Sequence, residues 1–362
     1  MRKITLLLVF VGFCTSLLWT QSVNLPALTS PQKETLWIWG EHGASSSGGR
    51  IFVWTDGKVL NLTPAGQNWR VMGSRTTKSQ VDVWGVLKTP QGDKVWQKKL
   101  KLSSEVKPTL RGAEFFSQTY PRVVALDLRE KRRLVAFERP SGPELVFADG
   151  NRVTSWAWGP EVEIVSVALG DGQNVAVCGF RNGTPFLWKN GEEISAPEGW
   201  RGLLSNLVWK GSEIVAVGRG APGEKRPVQA LLFDAGSWET LNISSAGNFP
   251  SFVGILPNNK IEILGCKAIV PDGHFQVWRW ESGNLFNWKT KEKILSLGPV
   301  DFSHGLLAAG TFVSQKGTRV LQTWDGKKTK KIENWPTDGT PRVMTVLALA
   351  QSLPEKAQKL AP

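Results

Sequence analysis

The sequence predicts an all-β fold: a seven-bladed β-propeller of four-stranded antiparallel blades, closed by the C-terminal strand joining the N-terminal blade. Three observations carry this expectation. First, an aromatic residue ending an apolar run returns at Trp54, Trp96, Phe147, Trp188, Phe233, Trp280 and Trp324, each before a short polar stretch. The spacings are 42, 51, 41, 45, 47 and 44 residues, a blade-sized period. Second, the strand before each anchor ends in an apolar residue and a glycine: Trp39-Gly40, Trp84-Gly85, Cys178-Gly179, Val217-Gly218, Leu264-Gly265 and Ala309-Gly310. The third unit has Ala136-Phe137 instead. Glycine there lets a strand bend or a neighbour come close. Third, the chain ends are complementary. The first unit starts at its second strand, 35–40, and the chain finishes with 341–350, which reads as a first strand with no unit after it. Joining the two leaves no open blade edge, so a monomer is expected.

The elements follow in order. Arg2-Lys3, the apolar run 4–19 and the polar residues after it have the layout of a secretory signal peptide, residues 1–22. The run is short for a membrane span, so a membrane role is expected only through an uncleaved leader. Cys14 would suit lipidation, but Phe13 stands where a small residue is expected. Residues 23–34 read as a linker, 35–352 as the propeller and 353–362 as a flexible polar tail. The fifth unit shows the strand pattern most clearly, at 203–209, 212–218, 227–233 and 237–243, with turns at Gly211, Gly223 and Gly236. Cys178 and Cys266 fall at the same place in units two steps apart, too far to bridge, and are expected as free thiols.

Two stretches resemble known repeats. Val175-Ala176-Val177-Cys178-Gly179, followed by Pro185-Phe186-Leu187-Trp188-Lys189-Asn190-Gly191, resembles the repeat of secreted bacterial propellers, HAF-type repeats among them. The fifth unit, with Val217-Gly218, Leu232-Phe233-Asp234 and Trp238, is similar to kelch repeats, from which the chain departs by its single glycines and one tyrosine. The resemblance covers about 35–350 and implies an exported propeller, periplasmic, cell-surface or extracellular.

Eighteen tryptophans invite a lectin reading. Trp54, Trp188, Trp280 and Trp324 recur at one place in their strands, which points to packing between blades. Trp156, Trp158, Trp200, Trp288 and Trp335 fall near turns or outer strands and are the candidates for exposed stacking. Lysines at 98, 99 and 101, and at 327, 328, 330 and 331, are placed on fourth strands, where they would block edge pairing.

The net charge is +13, and about +11 without Arg2 and Lys3, which favours an anionic partner. Nucleic acid is not expected for an exported protein. First strands begin with Arg70, Arg122, Arg201 and Arg342, and second strands are followed by Lys88, Arg139, Arg181, Arg219 and Lys267. In a propeller these positions open on one side, so nine cations would ring one mouth, with Glu41, Glu138, Glu163 and Asp301 offsetting part of the charge. Arginine suits bidentate recognition of carboxylate or phosphate.

Signs of catalysis are sparse. His42, His274 and His304 lie in three units without metal-ligand spacing, and no Gly-x-Ser-x-Gly elbow occurs. No cofactor or metal is expected. The expected function is a non-enzymatic binding module for an anionic ligand, an acidic glycan or a protein surface at the basic mouth. The alternatives are a cell-envelope hydrolase or lyase acting on glycans, with Tyr120 beside Arg122 at the same mouth, and a scaffold whose repeats serve stability alone.

Overall fold

The computed structural model describes residues 34–42, 50–55, 58–63, 67–77, 80–101, 110, 112–222, 229–241, 243, 248–256, 258–269, 274–288, 293–297, 308–313, 319–325, 328–332 and 341–350. The expected leader and tail lie outside these residues, as does the linker apart from Glu34, which starts the first strand.

Every regular element among the described residues is a strand. The first three are β1 (Glu34–His42), β2 (Arg50–Thr55) and β3 (Lys58–Asn61). The second sheet holds β4 (Asn68–Thr77), β5 (Gln80–Thr89), β6 (Gly92–Lys101) and β7 (Glu114–Tyr120). The third holds β8 (Val123–Arg129), β9 (Arg132–Arg139), β10 (Gly142–Asp149) and β11 (Arg152–Ala157). The fourth holds β12 (Val162–Leu169), β13 (Val175–Arg181), β14 (Thr184–Lys189) and β15 (Glu192–Ile194). The fifth holds β16 (Trp200–Lys210), β17 (Glu213–Pro222), β18 (Gln229–Asp234) and β19 (Ser237–Leu241). The sixth holds β20 (Asn248–Ile255), β21 (Ile261–Ile269), β22 (His274–Glu281) and β23 (Asn284–Asn287). The seventh holds β24 (Lys293–Leu297), β25 (Ala308–Val313), β26 (Arg319–Trp324) and β27 (Thr329–Ile332). The final strand, β28 (Pro341–Ala350), pairs antiparallel with β1, giving the first sheet the order β28-β1-β2-β3. Each sheet is thus an antiparallel set of four strands.

The recurring glycine has a geometric cause. First strands carry one extra residue opposite it, between Val71 and Gly73, Ile164 and Ser166, Leu204 and Asn206, and Pro250 and Phe252. This bulge pushes a first-strand carbonyl toward the second strand. A Cβ at Gly85 would lie 1.9 Å from the Arg70 oxygen, at Gly179 1.9 Å from that of Glu163, and at Gly218 2.1 Å from that of Leu203.

The core lies between successive sheets. Ile51 and Val53 of the first pack with Trp69, Val81 and Trp96 of the second. Phe147 and Leu134 pack with Val177 and Trp188, Cys178 and Leu187 with Leu204 and Phe233, and Val215 and Leu232 with Ile263 and Trp278. Fully burying one such side chain contributes about 1.5–3 kcal/mol. The uneven anchor spacing also acquires a reason. Trp54, Trp188, Phe233, Trp280 and Trp324 stand two residues beyond the partner of the second-strand glycine. Trp96 is itself that partner, facing Gly85. Phe147 stands three beyond the corresponding place, opposite Leu134, and therefore turns to the other face and packs on the sheet that follows.

Four expectations about side chains can be settled. Trp54, Trp188 and Trp324 are buried between sheets, and Trp280 is half-buried. Trp288, expected near the surface, is 1 % exposed and stacks on Trp324 at 5.4 Å. Lys98, Lys99 and Lys101 lie on β6, a third strand and not a fourth, beyond its last pairing with β7 at Gln97–Glu114; Lys328 stands beside an outer strand, β27, and Lys330 and Lys331 stand on it, while Lys327 lies outside the described residues. Cys178 and Cys266 are both free.

Candidate functional site

The strand register puts the expected mouth residues at one end of their sheets. Lys88 faces Asn68, Arg181 faces Val162, Arg219 faces Leu203, Lys267 faces Asn248 and Arg342 faces Glu41. The side chains of Lys267 and Arg342, and Asp301 altogether, lie outside the described residues. Arg70, Lys88 and Arg219 are half-buried. The guanidinium groups of Arg122, Arg139 and Arg181 are held by their own sheets, and that of Arg201 by the sheet before it. Arg122 Nη1 lies 2.6 Å from Glu138 Oε2, and Arg139 Nε lies 2.6 Å from Glu144 Oε2. Arg181 reaches 2.6 Å from Glu193 on an outer strand, over the Phe186 ring. Arg201 Nη1 donates to the Asn182 carbonyl oxygen at 3.1 Å. Exposed pairs of this kind contribute about 0–1 kcal/mol each, but they cancel charge. Glu138 was expected to do so; Glu144 and Glu193 were not.

A different concentration of polar groups lies at the opposite end of the second and third sheets. Across the second sheet Arg75 faces Asp82 and Asp82 faces Lys99. Two residues nearer the bulge, Trp84 faces Gln97 and Gln97 faces Glu114. Strand alternation puts all of these on one face, the face that Trp84 shares with Leu126 and Val135 of the third sheet. The places of Asp82 and Gln97 are taken by Leu134 and Leu145 in the third sheet, Ala176 and Leu187 in the fourth, and Val215 and Leu232 in the fifth, all buried. In the sixth they are Glu262 and Arg279, which pair with each other.

With the β8–β9 turn, the end of β10 and the β12–β13 turn, Asp82, Gln97, Lys99 and Glu114 line an open cleft of about 730 Å³. The β8–β9 turn is tight, with Glu130 in the left-handed region at φ 55°. It aims Arg129, Lys131 and Arg132 at the cleft, and Asp149 and Gln173 complete the wall. Gln97 is 4 % exposed and its Nε2 has no hydrogen-bond partner among the described residues. Asp82 is 8 % exposed, and burial pushes its carboxyl above the ordinary value of 3.8 while Lys99 and Arg75 oppose the shift. Arg129 Nε is likewise without a hydrogen bond. It lies 3.9 Å from Asp127 Oδ2, and Arg129 Nη1 lies 3.8 Å from Asp171 Oδ1, beyond hydrogen-bond range. Burial, with the neighbouring Arg75 and Arg132, lowers the affinity of Arg129 for its proton, and Asp127 and Asp171 offset part of this.

Asp127 lies under the cleft and ties three sheets together. It receives Arg75 Nη2 of the second sheet at 3.2 Å and the Leu169 amide of the fourth at 2.8 Å. Burial pushes its carboxyl upward, so an acceptor is required here more than a charge. Asp127→Ala, which leaves the Leu169 amide unpaired, is expected to destabilise the chain by about 3 kcal/mol. Asp127→Asn keeps an acceptor and is expected to cost less than about 1 kcal/mol. The folded chain holds a proton on Asp127 at pH values where the unfolded chain, at about 3.8, has released it. Its contribution is therefore greatest below that value and declines as pH rises through the folded value. Asp127→Asn should gain on the wild type as urea unfolding is repeated from about pH 4 to pH 7. Equal losses for Ala and Asn at neutral pH would contradict this account.

Among the described residues no group of three or more His, Cys, Asp or Glu is placed to hold a metal ion. The cleft had a signal in the sequence: polar residues at 82 and 97 interrupt positions that are apolar in the third to fifth units.

No family model matches the chain, and no curated protein does. The class that the fold defines is nevertheless plain. The β-propeller domain of the Trilobed protease from Pyrococcus furiosus superposes with a TM-score of 0.52 at 11% identity, over 85% of this chain and 97% of that one. A puromycin-hydrolyzing peptidase from Mycobacterium tuberculosis superposes with a TM-score of 0.53 at 10% identity, over 83% of this chain and 51% of its own. At these identities the likeness is one of fold: the chain is a β-propeller protein.

Proposed function

We propose that this is an exported, monomeric binding module: seven blades closed into a ring by β28, engaging an anionic ligand without turning it over. The single observation that carries the reading is the polar cleft between the second and third sheets. A blade interface gains stability from apolar contact, and burying a polar group there without a partner is costly. Asp82 and Gln97 stand where the third to fifth sheets use apolar residues, and Gln97 Nε2 is left unpartnered. A ligand that supplies the missing partner accounts for this choice of residues. Export is supported by the layout of residues 1–22, and the closed ring by contacts of β28 with β24 and β25 on one side and β4 on the other.

The basic mouth is the second reading, favoured by the register that gathers its arginines at one end. The two separate by experiment. An array of acidic and neutral glycans and acidic peptides is probed with the wild type, with Gln97→Leu plus Arg129→Leu, and with Arg70→Glu plus Arg122→Glu plus Arg201→Glu. Retention should fall at least tenfold in the cleft variant, about 1.4 kcal/mol, and stay within about twofold in the mouth variant. The opposite pattern moves the site to the mouth. Release of cleaved product from any retained glycan favours the hydrolase or lyase.

A further inference from the structure

We propose that the cleft between the second and third sheets takes a hydroxylated monocarboxylate, a sugar acid of the uronate type, with its carboxylate on Arg129 and a ring hydroxyl between Gln97 and Asp82. This rests on the cleft being the ligand site. Its ligand class follows from three features. The unmet groups on the floor are donors, Gln97 Nε2 and Arg129 Nε. A planar guanidinium without a hydrogen-bonded carboxylate suits bidentate capture of an oxyanion: Asp127 and Asp171 form ion pairs with it at 3.9 and 3.8 Å but hydrogen-bond to none of its N–H groups.

Charge then selects among oxyanions. The lining holds four cations, Lys99, Arg129, Lys131 and Arg132, against four carboxylates, Asp82, Glu114, Glu130 and Asp149. A single negative charge is tolerated on Arg129. A phosphate dianion would face the carboxylates with no surplus of cations to balance it. The same carboxylates, together with Gln173, offer acceptors to hydroxyl groups, which a simple fatty or aromatic acid lacks. A volume of about 730 Å³ suits a small molecule or a glycan end, where a protein surface would need a broader and flatter face.

Calorimetry on the full chain tests it with galacturonate, glucuronate and their short oligomers, against galactose, glucose and glucose 6-phosphate. The uronates should bind at least tenfold more tightly than the neutral sugars and the phosphate ester. Arg129→Gln should abolish the preference for acid over neutral sugar. Gln97→Leu, which fills the same space without the amide, should weaken acid and neutral sugars alike, with melting temperature followed in both variants. Equal or tighter binding of the neutral sugar or of the phosphate ester overturns the ligand class. So does failure of every sugar to bind while some other array ligand is lost in the cleft variant, and there the site itself stands. Uronate binding that survives both substitutions overturns the site as well.

Discussion

A chain ending at residue 340 is expected to lose its cooperative thermal transition. In the full chain β28 supplies the first strand of the first sheet, in register with β1 from Glu34–Ala350 to His42–Pro341. It also contacts β4 of the second sheet and β24 and β25 of the seventh. Its removal strips one edge of β1 and takes away the contacts with both neighbouring sheets at the same place. An exposed strand edge promotes association with other chains. The loss also touches three sheets at once, whereas the whole stability of a folded domain is about 5–15 kcal/mol. Calorimetry and size-exclusion chromatography of residues 23–340 check this. The expected result is a broad or absent transition with aggregation, partly rescued by the peptide 341–350 added in trans. A monomer with an unchanged melting curve would show that the fold does not depend on this strand.

Gly179→Ala is expected to destabilise the chain by about 3 kcal/mol, far more than its one added methyl suggests. The reason is space and not backbone conformation. Gly179 has no left-handed φ, but its Cβ would meet the Glu163 carbonyl oxygen at 1.9 Å. That oxygen is positioned by the bulge between Ile164 and Ser166, so neither strand can yield without losing ladder hydrogen bonds. Gly150→Ala provides the control. Gly150 has φ +57° and nothing within 4 Å of a Cβ, so only backbone strain of about 1 kcal/mol applies. Urea unfolding of both variants orders the two effects. Gly150→Ala costing more than Gly179→Ala would remove the bulge as the cause of the glycine pattern. Gly85→Ala and Gly218→Ala should behave like Gly179→Ala, since each faces a first-strand carbonyl in the same way.

The repeat was legible in one dimension because blade geometry imposes a period on the chain. Third-strand anchors, the glycine after each second strand and the complementary ends all follow from contacts that recur in every sheet. The phase of individual anchors was not legible. Trp96 and Phe147 look like the other aromatic anchors in sequence, yet one lies directly opposite its glycine and the other turns to the far face. A strand reads the same from either face until its partner's register is known. The same ambiguity put Lys98 and Lys99 on an outer strand when they lie on a third one.

The mouth and the cleft divide in the same way. Register alone brings the arginines to one end, so their gathering was readable from the strand boundaries. Their pairing was not, because Glu193 meets Arg181 across an intervening strand, and Glu144 meets Arg139 through side-chain rotamers. The cleft needed more still: polar residues of β5 and β6, the β8–β9 turn, and a turn of the fourth sheet come together only when three sheets stand side by side. By itself, then, the sequence determined the fold class, the strand order within each unit and the expectation that its free thiols stay unpaired, all consequences of local periodicity. Tertiary structure alone decided which charges are already satisfied and which buried donors, Gln97 Nε2 among them, are left without a hydrogen bond. Charge cancellation depends on distances of a few ångströms between side chains of different strands, and spacing along the chain does not encode those distances.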